Sequence, residues 1–234
     1  MKIGIFEIES FSAGKENIID ERLETIKQME HSAKKVYIQA EVINDSERLS
    51  QSDGIIVEKN KKLDLILKDL DFTEKRISNT QEENETNLLN RFKEQLEKES
   101  FIFELTLSDE ERSICSGYSL LTRKPVFLVD TGELENKYAA LAAAYTFFDY
   151  ITFFTGGEKE ARAWSIKKGM NSWQAAGIIH SDIQKGFIRA EVIGFNDLIK
   201  DGGRNQARAN NHLRLEGKEY IVQDGDLINF RFNK

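Results

Sequence analysis

The chain has 234 residues, enough for one large or two ordinary domains, with 40% hydrophobic residues, 31% charged residues and a net charge of −7. A single cysteine, Cys115, excludes an internal disulfide framework and a cysteine-built zinc site, and His31, His180 and His212 are too scattered to suggest a metal centre. The N-terminus has no basic segment leading into an apolar run, and no stretch approaches the ~20 apolar residues that span a bilayer, so a cytoplasmic protein without membrane association is expected.

In chain order, Lys2-Ile3-Gly4-Ile5-Phe6 reads as a short buried strand. A polar segment with Gly14 follows, then a helix near Asp20–Met29 carrying Leu23, Ile26 and Met29 at helical spacing. Val36-Tyr37-Ile38 and Gly54-Ile55-Ile56-Val57 are further strand candidates, and strands separated by helical segments predict an α/β layer. From about Lys59 the pattern changes. Leu63, Ile66, Leu67, Leu70 and Ile77 form one narrow apolar stripe, and Leu88, Leu89, Phe92 and Leu96 form a second beyond a polar turn. Two charged helices with one seam each predict an antiparallel, coiled-coil hairpin standing away from a small α/β base, a shape that suits a protein partner. Ser108-Asp109-Glu110-Glu111 is a capping-box signature that opens another helix, and Lys124–Val129 is a buried strand with the only proline at its start.

The last part is rich in strands. Arg162–Ile166 and Phe187–Ile193 read as strands with the helix Ser172–His180 between them. Glu219–Gln223 and Leu227–Phe232, joined by Asp224-Gly225-Asp226, predict a closing hairpin, because glycine accepts the positive φ of a tight turn. This part is also the basic half. From Glu158 onward there are 13 Lys and Arg against 10 Asp and Glu, a surplus of +3, against −10 for everything before it. It is therefore the half suited to meet phosphates.

The runs Phe153-Phe154-Thr155-Gly156-Gly157 and Glu160-Ala161-Arg162-Ala163-Trp164 resemble the C-terminal region of the Obg-like ATPases, the YchF family. So do Gln174–Asp182, Lys185–Val192, Arg214–Lys218, Tyr220–Asp226 and Phe230-Arg231-Phe232. The resemblance implies a TGS domain over 158–234, a ubiquitin-like β-grasp fold of α+β type found in translation-linked proteins. More weakly, Leu63–Arg76, Leu107–Glu111 and Leu120–Pro125 resemble the helical hairpin that this family inserts into its G domain, here at about 59–123. Residues 1–157 would then be a truncated, degenerate G-domain-like α/β region, far shorter than the family's own.

The family's catalysis implies a phosphate loop, G-x-x-x-x-G-K-[S/T], whose backbone N–H groups cradle phosphates while the lysine neutralises them and the hydroxyl holds magnesium. The only candidate is Glu9–Glu16, with vestigial Gly14 and Lys15; Glu9 replaces the first glycine and Glu16 the hydroxyl. No D-x-x-G switch lies in Met1–Gly54, and Asp130-Thr131-Gly132-Glu133 stands where a base-reading N-x-x-E is expected. Three losses predict a chain without catalytic residues, nucleotide cofactor or metal. The reading is a non-catalytic binding protein with RNA or the ribosome as partner, met by its TGS domain and hairpin. Lys167, Lys168, Lys185, Arg189 and Arg214 are the candidate phosphate contacts. Trp164 and Trp173 could stack on bases, although a strand tryptophan is more often core, and His180 reads as a packed histidine. Two rivals stay open: an ATP- or GTP-hydrolysing enzyme using magnesium, and a nucleotide-sensing TGS protein.

Overall fold

The computed structural model describes residues 1–233. In chain order the elements are β1 (Lys2–Phe6), β2 (Gly14–Ile18), α1 (Arg22–Met29), β3 (Lys34–Val36), β4 (Ile38–Ile43) and β5 (Gly54–Glu58). There follow α2 (Lys62–Asn79), α3 (Glu83–Glu97), α4 (Asp109–Ile114), β6 (Val126–Val129), α5 (Lys137–Phe147), β7 (Tyr150–Gly156) and β8 (Glu160–Lys167). The last are α6 (Ser172–Ile179), α7 (Ser181–Lys185), β9 (Phe187–Ile193), α8 (Phe195–Asp201), α9 (Arg204–Ala209), β10 (Arg214–Glu216) and β11 (Leu227–Phe232). Among the described residues, no helix is long and apolar enough to cross a membrane.

The mixed α/β chain forms two compact units, Met1–Glu16 with Ala40–Ala140, and Asn17–Gln39 with Leu141–Lys234. The expected division at Gly157 therefore does not describe the compact units. The second begins earlier and takes in a separate stretch near the N-terminus.

The first unit is built on a sheet of order β2-β4-β1-β5-β6, in which β1 runs parallel to β4 and β5, and β5 parallel to β6. Its central strands are apolar along their length because a parallel sheet is covered on both faces; Ile3, Ile5, Ile55, Ile56 and Val57 are all fully buried. One face carries α2 and α3. Leu65, Ile66, Leu88, Leu89, Phe92 and Leu96 share a single core with Phe6, Ile55, Val57 and Val126. The helices are joined by a short turn and tied by Lys93 to Glu74 at 2.8 Å. Their far end is held by Glu85, whose carboxylate accepts from Arg76 Nε at 2.7 Å and from the Thr80 and Tyr118 hydroxyls. Buried Asp69 accepts from the backbone and hydroxyl of Thr122 at 2.6 and 2.7 Å. The two helices pack chiefly against each other, as the paired apolar seams predicted, and their buried residues are continuous with the core of the first unit. The capping box at Ser108 forms, with Glu111 N–H donating to its hydroxyl at 3.2 Å and its own N–H donating to Glu111 at 2.8 Å.

The second unit has a sheet of order β10-β9-β11-β7-β8-β3. β7 and β8 are antiparallel, as are β9 and β10, while β11 lies between β9 (antiparallel) and β7 (parallel). The helix α6 covers one face, burying Ala175 and Ala176 against Phe153, Ile166, Ala190, Val192, Ile228 and Phe230. The predicted closing hairpin is absent. The turn at Gly225 has φ +88, as the sequence required, but Glu219–Gln223 forms no strand and makes one bridge, Ile221 to Asn171. Its backbone is committed elsewhere: Ser172 N–H donates to Tyr220 C=O, and Val222 N–H to Met170 C=O. The last strand is therefore central, not half of a terminal hairpin. The early stretch joins this sheet too. β3 pairs in parallel with β8, and α1 packs on β7 and β8, burying Leu23 and Ile26.

Candidate nucleic-acid interface and the vestigial phosphate loop

After β1 the chain turns at Glu7, in the left-handed region at φ 52, and passes through Ile8–Ala13. Gly14 and Lys15 then open the strand β2. A phosphate loop needs the reverse: glycines delivering the chain to a helix N-terminus, whose free N–H groups and dipole bind the anion. The next helix, α1, starts only at Arg22 and is preceded by Asp20-Glu21. Glu16, at the magnesium-hydroxyl position, accepts an ion pair from Lys137 at 2.8 Å. The carboxyl ends of parallel strands are where such sheets bind ligands. Here that region holds a cleft of about 410 Å³ lined by Glu7, Glu9, Asn44 and Lys61, and Lys61 is shared between Glu7 at 3.3 Å and Asp64 at 2.9 Å. Two carboxylates and one already-paired ammonium make a poor triphosphate site. Among the described residues, no group of three or more His, Cys, Asp or Glu is placed to hold a metal ion.

The second unit has a larger cleft of about 750 Å³, between Asp20–Arg22, Tyr145–Thr152 and Ile221–Asp224. Its guanidinium, Arg22, is held by Asp20 at 2.7 Å and Asp224 at 2.7 Å, and these two partners push its pKa still further up. Glu21 and Asp149 add two more carboxylates, with Lys168 the other cation. This lining repels phosphate.

The five cations singled out from the sequence separate into two groups. Lys167 donates to the Phe148 carbonyl at 2.9 Å and sits over the Tyr150 ring at 3.8 Å. Arg214 donates to the Tyr220 hydroxyl at 3.0 Å and lies 3.6 Å from Asp226. Burial and Asp226 in turn push the Tyr220 hydroxyl up to about 12. Both are engaged within the fold, and Arg214 nevertheless keeps an exposed face. Lys168, Lys185 and Arg189 are exposed. Sequence reasoning missed Arg208 and Arg231, which the fold brings beside Arg189 around Glu191. The alternation of β9 could have indicated Glu191 as facing the same way as Arg189; the pairing with β11 could not be read from it. Burial would raise the Glu191 carboxyl, but hydrogen bonds from Asn229 and Arg231 and the charge of Arg208 draw it below the usual range. Trp164 is a packing residue: it stacks on Phe153 at 6.3 Å and donates to Thr155 at 3.0 Å. Trp173 is 39% exposed. His180 Nδ1 accepts from Asp182 N–H at 3.1 Å, capping α7.

Residues 150–233 match the family YchF-GTPase_C, described as a protein of unknown function (DUF933). "Ribosome-binding ATPase YchF" of Bacillus subtilis is 50% identical over 111 residues, 47% of this chain and 30% of that protein. "Obg-like ATPase 1" of Danio rerio is 46% identical over 100 residues, 43% of this chain and 24% of that one. The chain thus spans less than a third of the length of either relative. The YchF GTPase structure from Schizosaccharomyces pombe superposes with a TM-score of 0.75 at 19% identity, covering 99% of this chain and 97% of that one. That likeness shows a shared mixed α/β fold. The similarity in sequence is thus to the C-terminal region of the YchF family of Obg-like ATPases and lies in the C-terminal half of the chain.

Proposed function

We propose that this chain is a non-catalytic member of the YchF family, a cytoplasmic RNA- or ribosome-associated adaptor whose C-terminal sheet is a β-grasp module of the TGS type. The sheet order, with the final strand central between two antiparallel pairs and one helix crossing behind, supports the β-grasp reading. The names of the relatives, ribosome-binding ATPases, support the partner. The observation that carries the non-catalytic reading is the placement of Gly14 and Lys15 at the start of a strand, between Glu9 and Glu16. No helix dipole or amide cradle is there to hold a triphosphate, and two glutamates oppose it. A protein partner on the helical layer is a further part of the reading, supported by Leu63 and Leu67 on α2, 48% and 58% exposed.

Calorimetric titration with Mg·ATP and Mg·GTP tests it. The expected result is no saturable binding below about millimolar, weaker than about −4 kcal/mol. A micromolar dissociation constant abolished by Lys15→Ala would restore the hydrolysing enzyme as the better reading.

A further inference from the structure

One face of the C-terminal sheet sets two arginines directly opposite each other: Arg189 on β9 is the register partner of Arg231 on β11. Like charges in that relation repel. A third guanidinium, Arg208 from α9, comes to the same place. Arg208 and Arg231 both reach a single acid, Glu191, which is 5% exposed and lies two residues after Arg189 on the same strand. Its Oε2 accepts from Asn229 at 2.8 Å, and its Oε1 is shared between Arg231 and, at 3.5 Å, Arg208. The Glu191 carboxylate is thus fully engaged before Arg189 is considered. Among the described residues, Arg189 has no carboxylate within ion-pair distance, and the cluster of four keeps a net charge of +2. Stability alone would place an acid opposite one of these arginines. Arg208 and Arg231 remain 61% and 54% exposed at their side chains, so their outer N–H groups are accessible. Beside them, Leu215 on β10 stands in register with Glu191 and is 60% exposed.

We propose that Arg189, Arg208 and Arg231 form a phosphate clamp for single-stranded RNA, with Leu215 as the apolar contact for an unstacked base. The clamp rests on the RNA-binding reading above and assigns it to a surface other than the exposed lysines. Planar guanidiniums grip phosphodiester oxygens through paired N–H donors, and Glu191 fixes two of them in place before the ligand arrives. RNA is favoured over a phosphorylated peptide because exposed guanidinium planes can stack on unstacked bases as well as bind phosphates, with Leu215 adding apolar contact beside them.

The test is fluorescence anisotropy with a labelled 12-nucleotide oligouridine at 50 and 200 mM salt. It compares wild type, Arg189→Ala, the triple variant R189A/R208A/R231A and the lysine variant K168A/K185A. Arg189→Ala removes no ion pair, only the approach of its guanidinium to Gly217, and should fold normally. It should weaken binding several-fold and lower the salt slope by about 0.7, the value for one single-strand phosphate contact. The triple variant should lose at least about tenfold, with a slope lower by about 2. The lysine variant should lose less than Arg189→Ala. Unchanged binding in both arginine variants overturns the clamp while leaving RNA association standing. A wild type that binds neither the oligonucleotide nor ribosomes overturns the underlying reading and the clamp with it.

Discussion

Gly156 and Glu30 show how a single residue ties the early segment to the C-terminal sheet. A Cβ on Gly156 would lie 2.5 Å from Glu30 Cγ. The Glu30 side chain cannot swing away cheaply, because it is 8% exposed and receives Arg204 Nε and Nη2 at 3.1 and 2.8 Å. Ser32 next to it donates to the Gly157 carbonyl at 2.6 Å. Breaking a buried pair by removing one partner costs about 3–5 kcal/mol, since the other charge is left uncompensated. Arg204→Ala should therefore destabilise the second unit by about that amount. Gly156→Ala should cost about 1–3 kcal/mol as an overpacking change. Combined, the two should cost less than their sum, because both act on Glu30. Urea denaturation of the two single variants and the double variant measures this, and strict additivity would show that the contacts are independent. In the sequence, Phe153–Gly157 was legible as a family run, but the need for glycine at 156 was not, because its neighbour lies more than a hundred residues away in the chain.

At the scale of elements, the buried strands β1, β5 and β6 were legible because parallel strands are apolar throughout. So was the helix at Ser108, whose cap is local. The hairpin helices were legible too, but not what they pack against. A narrow apolar stripe serves equally for a two-helix seam or for a helix on a sheet, and only the fold shows that Phe92 belongs to the same buried core as Phe6, Ile55 and Val57. The consequence is testable. In a free arm, Phe92→Asp would loosen only the helices. Here it places an unpaired charge in the core of the first unit and should cost more than about 4 kcal/mol, enough to unfold that unit as a whole. Hydrogen exchange read at β1 and β5 distinguishes the two: loss of protection there follows from the layered arrangement, and retained protection contradicts it. The closing strand was misread for a related reason. The Asp-Gly turn is a true local signal, yet the strand after it pairs with β9 and β7, a long-range choice.

At the scale of the whole molecule, the C-terminal half is about half identical to the relatives' corresponding region, while near the N-terminus Gly14 and Lys15 open a strand. The charges of Glu9 and Glu16, on which the non-catalytic proposal rests, were visible in the sequence. That the following segment is a strand was not, nor that β9, β11 and α9 bring three arginines near one another. The proposed function requires an association with the translation machinery that is independent of nucleotide. Co-sedimentation of the purified chain with bacterial ribosomes, run with and without Mg·ATP, tests it most directly. Equal pelleting is expected in both conditions, falling steeply between 50 and 200 mM salt as counterion release requires. Pelleting that depends on Mg·ATP, or none in either condition, would contradict it.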